Sequence, residues 1–214
     1  MKVAVLFSGG KDSVFAAEVC RQMGWDVSLL TIIPAEHSTM FHHPNLQWCE
    51  NQAEAVGLPI IVVKAGGKTE KSELEAMKQA LAGMKADGVA SGAIESEYQK
   101  ERVDRVAQEL GIRSFAPIWR TGEKLLSEQC GYLESYVVAV AAEGLGEAEL
   151  GARFDSDFVA RLKKLRPPVS PHLEGGEGET FVAGAPFFSK RLEIAGWKKK
   201  FSGSSGVAGI SSLS

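Results

Sequence analysis

The residue types that bind phosphate occur together near the N-terminus, in the segment Ser8-Gly9-Gly10-Lys11-Asp12-Ser13, called the glycine loop below. It directly follows the apolar run Val3–Phe7, which is typical of a buried strand. A strand that ends in small residues and opens a helix leaves several backbone N–H groups unpaired at one point, where the helix dipole adds positive charge. The two glycines allow close approach, the two serine hydroxyls can donate, and Lys11 supplies a cation. The loop is therefore predicted to hold phosphate.

The spacing separates this loop from the Walker loop, in which four residues stand between the first glycine and a Gly-Lys-Ser/Thr triplet. Within the loop, Asp12 is a candidate ligand for Mg²⁺, directly or through water, or a cap for its own helix. A glycine-rich turn that binds no ligand is the alternative for the whole segment.

The composition predicts a soluble globular protein. Its 214 residues are 44% hydrophobic and 24% charged, which suits one sizeable domain, alone or with a small appended one. The net charge of -3 and the pI near 5.9 give no global attraction to nucleic acid or to anionic membranes. A nucleic-acid partner is therefore disfavoured.

The cysteines and the lengths of the apolar runs predict a cytoplasmic protein. Cys20, Cys49 and Cys130 are far apart and form no CxxC pair, which disfavours zinc or redox chemistry and fits a reducing compartment. The N-terminal apolar run is too short for a signal peptide, and Tyr136–Ala142 is far below membrane-spanning length. We expect no membrane association.

Strand-like and helix-like segments alternate through the first half, which predicts an α/β fold with a parallel sheet between helices. Ligands of such sheets bind beyond the carboxyl ends of the strands, so the glycine loop, Pro34–Asn45 and Gly92–Gln99 should meet at one cleft. The middle segment carries His37, His42 and His43. We expect these to line the cleft mouth, because no Cys or carboxylate spacing supports a metal site.

The pattern changes after Trp119, which predicts a second, smaller region. We expect a nucleotide-binding α/β domain over residues 1–118, a substrate-side C-terminal domain over residues 119–200 and a flexible tail over residues 201–214. Serine and glycine make up nine of the fourteen tail residues, a composition typical of chain without fixed structure.

Polar side chains open the helix that follows Ser91–Gly92, at the end of a predicted strand. Gln99 projects into the apolar sector of that helix, so its amide needs a partner, which a ligand can supply. Ser96-x-x-Gln99 is also a capping box, and Gln99 alternatively only closes the helix start. Tyr98 and Arg102 are four residues apart and share a face directed at the cleft.

An acidic, glycine-rich segment near the other end of the chain is a second candidate site. It holds Glu174, Glu177 and Glu179, with Thr180 directly after them. Neighbouring carboxylates repel each other unless a cation, a basic side chain or water intervenes, so Glu177 and Glu179 are candidates for orienting ammonium or a metal. An acidic surface turn without a ligand is the alternative.

Taken together, these segments resemble the diphthine–ammonia ligase family, a branch of the N-type ATP pyrophosphatases (the PP-loop superfamily). Three blocks carry the resemblance in the family's order: Ser8–Ser13, Gly92–Arg120 and Glu174–Phe188. The first block identifies only the superfamily, and the other two are more specific. Two positions depart from the family pattern: Gly178 replaces a bulky residue and Gly184 replaces an acidic one.

The resemblance implies a ligase that uses ATP and Mg²⁺ and releases AMP and pyrophosphate. A carboxylate would react with ATP to give an acyl-adenylate, from which ammonia displaces AMP. In the family the carboxylate belongs to diphthine on elongation factor 2, so the implied partners are this factor and ammonium; a homodimer is left open. The implied fold is an adenine-nucleotide α-hydrolase-like (HUP, Rossmann-like) five-stranded parallel sheet in the order 3-2-1-4-5, with a smaller C-terminal α+β domain.

The implied site residues form two sets. ATP and pyrophosphate are assigned to Ser8, Gly9, Gly10, Lys11, Asp12, Ser13, Ser91 and Gly92, with Asp12 as the Mg²⁺ candidate. The catalytic or substrate-binding candidates are Tyr98, Gln99, Arg102, Glu174, Glu177, Glu179 and Thr180.

Two other functions stay open from the residues alone. One is an RNA-modifying enzyme of the same superfamily that installs sulfur or lysine; sulfur chemistry would need a reactive cysteine near the cleft. The other is a nucleotide-binding sensor without chemistry. The products separate the three: AMP with pyrophosphate indicates adenylation, ADP indicates ordinary hydrolysis, and no turnover indicates binding alone.

Overall fold

The computed structural model of this chain describes residues 1–34, 44–67 and 69–214. The strands are β1 (Lys2–Leu6), β2 (Asp26–Ile33), β3 (Ile60–Lys64), β4 (Gly88–Ala90), β5 (Arg113–Phe115), β6 (Glu134–Val140), β7 (Gly178–Gly184), β8 (Ile194–Ser202) and β9 (Ser205–Leu213). The α-helices are α1 (Lys11–Gln22), α2 (Cys49–Val56), α3 (Glu70–Met84), α4 (Glu97–Leu110), α5 (Gly122–Tyr132) and α6 (Ser156–Leu162). The predicted cleft-mouth histidines, His37, His42 and His43, lie outside the described residues.

The first sheet is parallel, in the order β3-β2-β1-β4-β5, which confirms the predicted α/β fold and strand order. Both of its faces are buried, as a parallel sheet covered by helices requires. Strand β1 illustrates this: Val3 and Val5 pack in one cluster with α1 and α2, whereas Ala4 packs in another with α3 and α4. The carboxyl ends of β1 and β4 are neighbours, and the predicted site segments follow them.

The second sheet is antiparallel, in the order β7-β6-β9-β8, and confirms a smaller α+β region after the first sheet. Its core joins Val137 and Ala208 of the strands to Leu126 of α5 and Phe158 of α6. Among the residues given above, no helix combines the length and the apolar character needed to cross a membrane.

The prediction of a flexible tail over residues 201–214 is wrong. Strand β9 pairs with β8 along its whole length and with β6 near Val207, so this stretch is a middle strand of the second sheet. Ala208 and Ile210 lie on one face and are buried. Their period-two spacing is a strand signal that the high serine and glycine content obscures.

The two sheets pack closely enough to form shared cores. Val182 of β7 and Leu133 lie in the cluster of Val5, and Phe181 of β7 packs with Ala55 of α2. This packing places β7 directly beside the glycine loop, where the Val182 N–H donates to the Gly9 carbonyl at 3.0 Å.

Candidate active site

A cleft of about 630 Å³ opens at the carboxyl ends of β1 and β4, within the size range of small-molecule sites. Its wall joins the glycine loop, the segment after β4 and the acidic C-terminal segment. From these the wall takes Ser8, Gly10, Asp12, Ser13, Ser91, Gly92, Ala93, Ser96, Tyr98, Gln99, Leu173, Glu174, Gly175, Gly176, Glu179 and Thr180. Three segments far apart in sequence therefore meet, as expected for two of them from their positions after strands.

One part of the cleft is apolar. Leu6, Leu30, Ile32 and Val103 line it together with Leu46, which follows the undescribed residues 35–43. The combination of an apolar part with a glycine loop suits a ligand that has a flat base and a charged chain.

The C-terminal sheet and α2 hold the backbone of the glycine loop. The Lys11 N–H donates to the Thr180 hydroxyl at 3.0 Å, and the Gln52 amide donates to the Gly9 carbonyl at 2.9 Å. Gly9 has a φ of +76°, and a Cβ there would lie 1.9 Å from the Gln52 Oε1 atom. Only glycine fits this position, because the backbone is left-handed and closely approached.

The two serine hydroxyls of the loop bond within the loop. Ser13 Oγ donates to the Gly10 carbonyl at 3.0 Å and accepts from the Ser8 N–H at 3.2 Å. Helix α1 begins at Lys11, within this segment, with Gly10 as its N-cap and Ser13 in its first turn. Three N–H groups of this segment that were predicted to be unpaired therefore already have acceptors: the Ser8 N–H bonds to Ser13 Oγ, the Gly10 N–H to Ser8 Oγ and the Lys11 N–H to Thr180 Oγ1.

The Lys11 side chain was predicted to lie on the cleft wall, but it is buried behind it. It is only 2% exposed, and Nζ donates to Asp12 Oδ2 at 2.6 Å and to the His172 carbonyl at 2.7 Å. The same ammonium lies 5.4 Å from the centre of the Phe154 ring. Burial and the neighbouring Lys11 charge lower the pKa of His172, which favours its neutral form.

Asp12 lies on the cleft wall with a quarter of its side chain exposed. Lys11 holds Oδ2, and the buried amide of Gln129 donates to Oδ1 at 2.7 Å. The carboxylate is therefore fixed by one donor from its own loop and one from α5. Sequence reasoning missed Gln129, which belongs to none of the three motif blocks.

Gly92 lets the end of β4 approach the start of α1. A Cβ at this position would lie 2.8 Å from both the Asp12 carbonyl carbon and the Ser13 nitrogen. A larger residue would push the segment after β4 away from the glycine loop, because those are backbone atoms.

Tyr98 and Arg102 share a helix face, as predicted, and the Arg102 guanidinium carbon lies 3.2 Å from the centre of the Tyr98 ring. Glu70, at the start of α3, accepts from the Tyr98 hydroxyl and from Arg102 Nε, the latter at 2.7 Å. Hydrogen bonding to Arg102 lowers the pKa of Glu70. Tyr98 lies on the cleft wall, and the described wall does not include Arg102.

Gln99 lies on the cleft wall, as predicted. Its backbone N–H donates to the hydroxyl of the N-cap Ser96 at 3.4 Å, which is one half of the predicted capping box. The cap of α4 is therefore the Ser96 hydroxyl and not the Gln99 side chain.

The three acidic side chains of the C-terminal segment make different contacts. Glu174 accepts from the Ile94 and Glu95 N–H groups at 2.5 Å each and so joins the segment to the end of β4. Burial raises the pKa of Glu174. Glu177 accepts from the Gly175 N–H at 2.6 Å within its own turn, whereas Glu179 lies on the cleft wall. Among the described residues, no group of three or more His, Cys, Asp or Glu side chains could hold a metal ion.

The three cysteines carry no sign of reactivity. Burial raises the pKa of Cys20 to about 11 and that of Cys49 to about 12, and it also raises the pKa of Cys130. None of them belongs to the part of the cleft wall that the structure describes. A thiolate at this site is therefore unsupported.

Comparison with known proteins matches the whole length of the chain. The diphthamide synthase N-terminal domain family matches residues 1–114, and the diphthamide synthase C-terminal domain family matches residues 121–214. A Danio rerio protein named diphthine–ammonia ligase is 33% identical over 220 residues, which cover 91% of this chain and 86% of the relative. The Homo sapiens protein of that name is 30% identical over 226 residues, with coverage of 91% and 83%. The longer Schizosaccharomyces pombe protein is 32% identical over 220 residues, and the match covers 36% of its length.

Proposed function

The chain belongs to the diphthamide synthase family, and on that premise we propose that it joins ammonia to a carboxylate at the expense of ATP. Its relatives are named diphthine–ammonia ligase, and the chain is accordingly a ligase that forms a C–N bond. We further propose an acyl-adenylate route, with diphthine on elongation factor 2 as the acceptor.

The observation that carries the proposal is the composition of the cleft wall. The glycine loop, the segment after β4 and the acidic C-terminal segment meet around one space of about 630 Å³. An adenylating enzyme needs donors for a leaving pyrophosphate and room for a second substrate beside them. The glycine loop presents the positive end of the α1 dipole to the pyrophosphate, and the C-terminal segment bounds the remaining space.

The proposed chemistry has two displacement steps. A carboxylate oxygen attacks the α-phosphorus of ATP, and the bond from that phosphorus to the bridging oxygen of pyrophosphate breaks. Ammonium then loses a proton to water, and the nitrogen of the resulting ammonia attacks the acyl carbon. This nitrogen passes a second proton to water, and AMP leaves with the electron pair of the acyl C–O bond. The first step needs no strong base, because the attacking carboxylate is already ionised near neutral pH.

The glycine loop is proposed to hold the pyrophosphate. The turn at Gly10 presents the N-terminus of α1, where the helix dipole favours an anion. The Lys11 ammonium pairs with Asp12 and with the His172 carbonyl, and it thereby offsets the negative charge that the Asp12 carboxylate would set against the phosphates. Thr180 and Gln52 bond to the backbone of the loop and hold its shape before the nucleotide binds. A site that is already ordered in this way is electrostatically preorganised.

The residues present fit a magnesium ion that arrives with the nucleotide. Mg²⁺ is commonly bound through one or two carboxylates together with substrate phosphates, and Asp12 offers such a carboxylate on the wall beside the loop. When bound, the ion would neutralise charge on the triphosphate. Asp12 would hold it, and Lys11 and Gln129 fix the orientation of that carboxylate.

Ammonium and the acceptor are proposed to enter from the side of the acidic segment. Of the two glutamates expected to orient ammonium, Glu179 lies on the wall, whereas Glu177 closes its own turn. Tyr98 and Gln99 line the cleft and are candidates for contact with the acceptor, with Arg102 positioning Tyr98.

Product analysis with and without the acceptor tests the proposal. The protein is incubated with ATP, Mg²⁺ and ammonium, either with diphthine-bearing elongation factor 2 or with the same factor lacking diphthine. The proposal predicts sustained release of AMP and pyrophosphate only when diphthine and ammonium are both present. When ammonium is left out, pyrophosphate formation should stop after about one equivalent per enzyme, because the acyl-adenylate then has no nucleophile. ADP as the product would replace it with ordinary hydrolysis, and binding without turnover would indicate a sensor.

The same assay separates the RNA-modifying alternative. AMP release that depends on added tRNA in place of elongation factor 2 would support that alternative and contradict our proposal. Thiol alkylation is a further arm: we expect activity to survive it, since the cysteine thiols lie away from the described cleft wall and have raised pKa values.

A further inference from the structure

We propose that Gln129 of α5 is a positioning residue that fixes the Asp12 carboxylate for the metal-bound nucleotide. The inference rests on one part of the proposed function, namely that the cleft binds ATP with Mg²⁺ through Asp12. It does not depend on the acceptor or on the adenylation step.

The geometry places one protein donor on each oxygen of Asp12. Gln129 Nε2 lies 2.7 Å from Oδ1, across 117 residues of sequence, and Lys11 Nζ lies 2.6 Å from Oδ2. Gln129 is 1% exposed, whereas the Asp12 side chain is 25% exposed and lies on the cleft wall. A buried side chain with a fixed rotamer therefore holds a carboxylate that faces the ligand space.

The hydrogen-bonding partner fixes the direction of the Gln129 amide. A carboxylate only accepts, so the amide must present its NH₂ group to Asp12. Its Oε1 atom is then buried, and no described residue donates to it. An unpaired buried acceptor is costly, so the bond to Asp12 fixes the amide in this orientation against a cost at Oε1.

The role suits the chemistry of magnesium. The described residues contain no cluster of three or more potential ligands, so Asp12 would bind Mg²⁺ together with the phosphates of the nucleotide. When the protein supplies a single carboxylate ligand, the affinity for the metal depends strongly on the orientation of that carboxylate. Loss of an outer partner of a ligating group costs about 10- to 100-fold in metal affinity or activity.

Equilibrium binding of ATP, measured by calorimetry with Mg²⁺ and again with EDTA, tests the inference without any acceptor. Gln129→Met keeps the length of the side chain and removes the donor. We expect about 10- to 100-fold weaker binding with Mg²⁺ and a change of less than about twofold with EDTA. Gln129→Glu sets a carboxylate against Asp12 and should weaken Mg²⁺-dependent binding further.

Leu126→Ala is the matched control on the same helix. Leu126 is buried in the C-terminal core, so its truncation should lower stability and leave the ratio of the two affinities unchanged. If Gln129→Met behaves like this control, or weakens binding equally with EDTA, its role is structural and the inference is overturned.

A double-mutant cycle with Asp12→Asn separates this inference from the proposed function. If Gln129 acts through Asp12, its substitution should have no further effect on Mg²⁺ dependence in the Asp12→Asn background. Additive effects would overturn the inference while leaving the Asp12 assignment intact. If Asp12→Asn alone leaves Mg²⁺ dependence unchanged, the metal role of Asp12 in the proposed function is wrong and the inference fails with it.

Discussion

Lys11 and His172 lie 161 residues apart in the chain, yet the Lys11 ammonium donates to the His172 carbonyl oxygen at 2.7 Å. A buried ammonium needs hydrogen-bonding partners, and one of the two partners of Lys11 belongs to the C-terminal region. The glycine loop is therefore completed by the second sheet. The first sheet alone has the sequence of the loop but not the partners that hold it.

Replacing Lys11 by Met should abolish AMP formation. The change removes the charge behind the phosphate turn and leaves the His172 carbonyl without its donor. Loss of one preorganised electrostatic group typically costs about 10²- to 10³-fold in kcat. Lys100→Met is the control, since Lys100 pairs with Asp104 at 2.5 Å in an ion pair on α4. Full activity in Lys11→Met would refute the role of the lysine.

Replacing Glu174 by Gln should weaken ATP binding. One oxygen that accepts from Ile94 or Glu95 becomes an NH₂ group, which sets a donor against a donor and loosens the wall after β4. Loss of a charge-assisted bond costs about 1–3 kcal/mol, or roughly 5- to 150-fold in affinity. Glu149→Gln is the control, because Glu149 also accepts from a backbone N–H, at Gly146, outside the described cleft wall. Equal losses in the two variants would contradict the account.

Replacing Gly178 by Ala should destabilise the second sheet. A Cβ at Gly178 would lie 2.8 Å from the Ala139 carbonyl oxygen, so the β6–β7 pairing must shift. Overpacking of this kind costs about 1–3 kcal/mol of unfolding free energy. In Gly209→Ala the nearest atom is 3.8 Å away, so that variant should match or exceed the wild type in chemical denaturation. In this structure the space at Gly178 therefore has no room for the bulky residue of the family pattern.

Glu134 should contribute stability that disappears in acid. Hydrogen bonding to Arg191 lowers the pKa of Glu134 from 4.5 to about 2. The folded state thus binds the proton less readily than the unfolded state. The contribution is present above pH 4.5 and is lost as the pH falls towards about 2. Wild type and Glu134→Gln should therefore converge in unfolding free energy over this window.

The control for this pH dependence is Glu54→Gln, which removes an exposed ion pair with Lys190. Its difference from the wild type should stay small throughout, because exposed pairs contribute little. A constant gap between wild type and Glu134→Gln down to about pH 2 would contradict the assignment.

Local chemistry made much of the fold and site predictable. The glycine loop was predicted from six adjacent residues, and the strand order came with the family resemblance that the three blocks carry. Helix α3 begins at Glu70, and its cap is formed by the neighbouring Thr69 and Ser72, so this helix start also depends on local chemistry.

Long-range partners were not predictable. Gln129, Gln52 and Glu70 meet the motif residues only through packing, and each is an ordinary polar residue of a helix in the sequence. The burial of Lys11 was missed for the same reason, because its partner His172 lies in the second region. Residues 201–214 were predicted to be flexible because serine and glycine dominate them. The buried Ala208 and Ile210 are two residues apart, and this spacing indicates the strand that the composition obscures.

The central claim is that this cleft amidates a carboxylate through its adenylate. The most direct test is to supply ammonium enriched in heavy nitrogen, ATP, Mg²⁺ and diphthine-bearing elongation factor 2, and to compare AMP released with label incorporated by mass spectrometry. The account predicts one labelled nitrogen in the modified residue for each AMP and pyrophosphate formed, and none with Lys11→Met. Release of ADP, or AMP formation without incorporation of label, would contradict it.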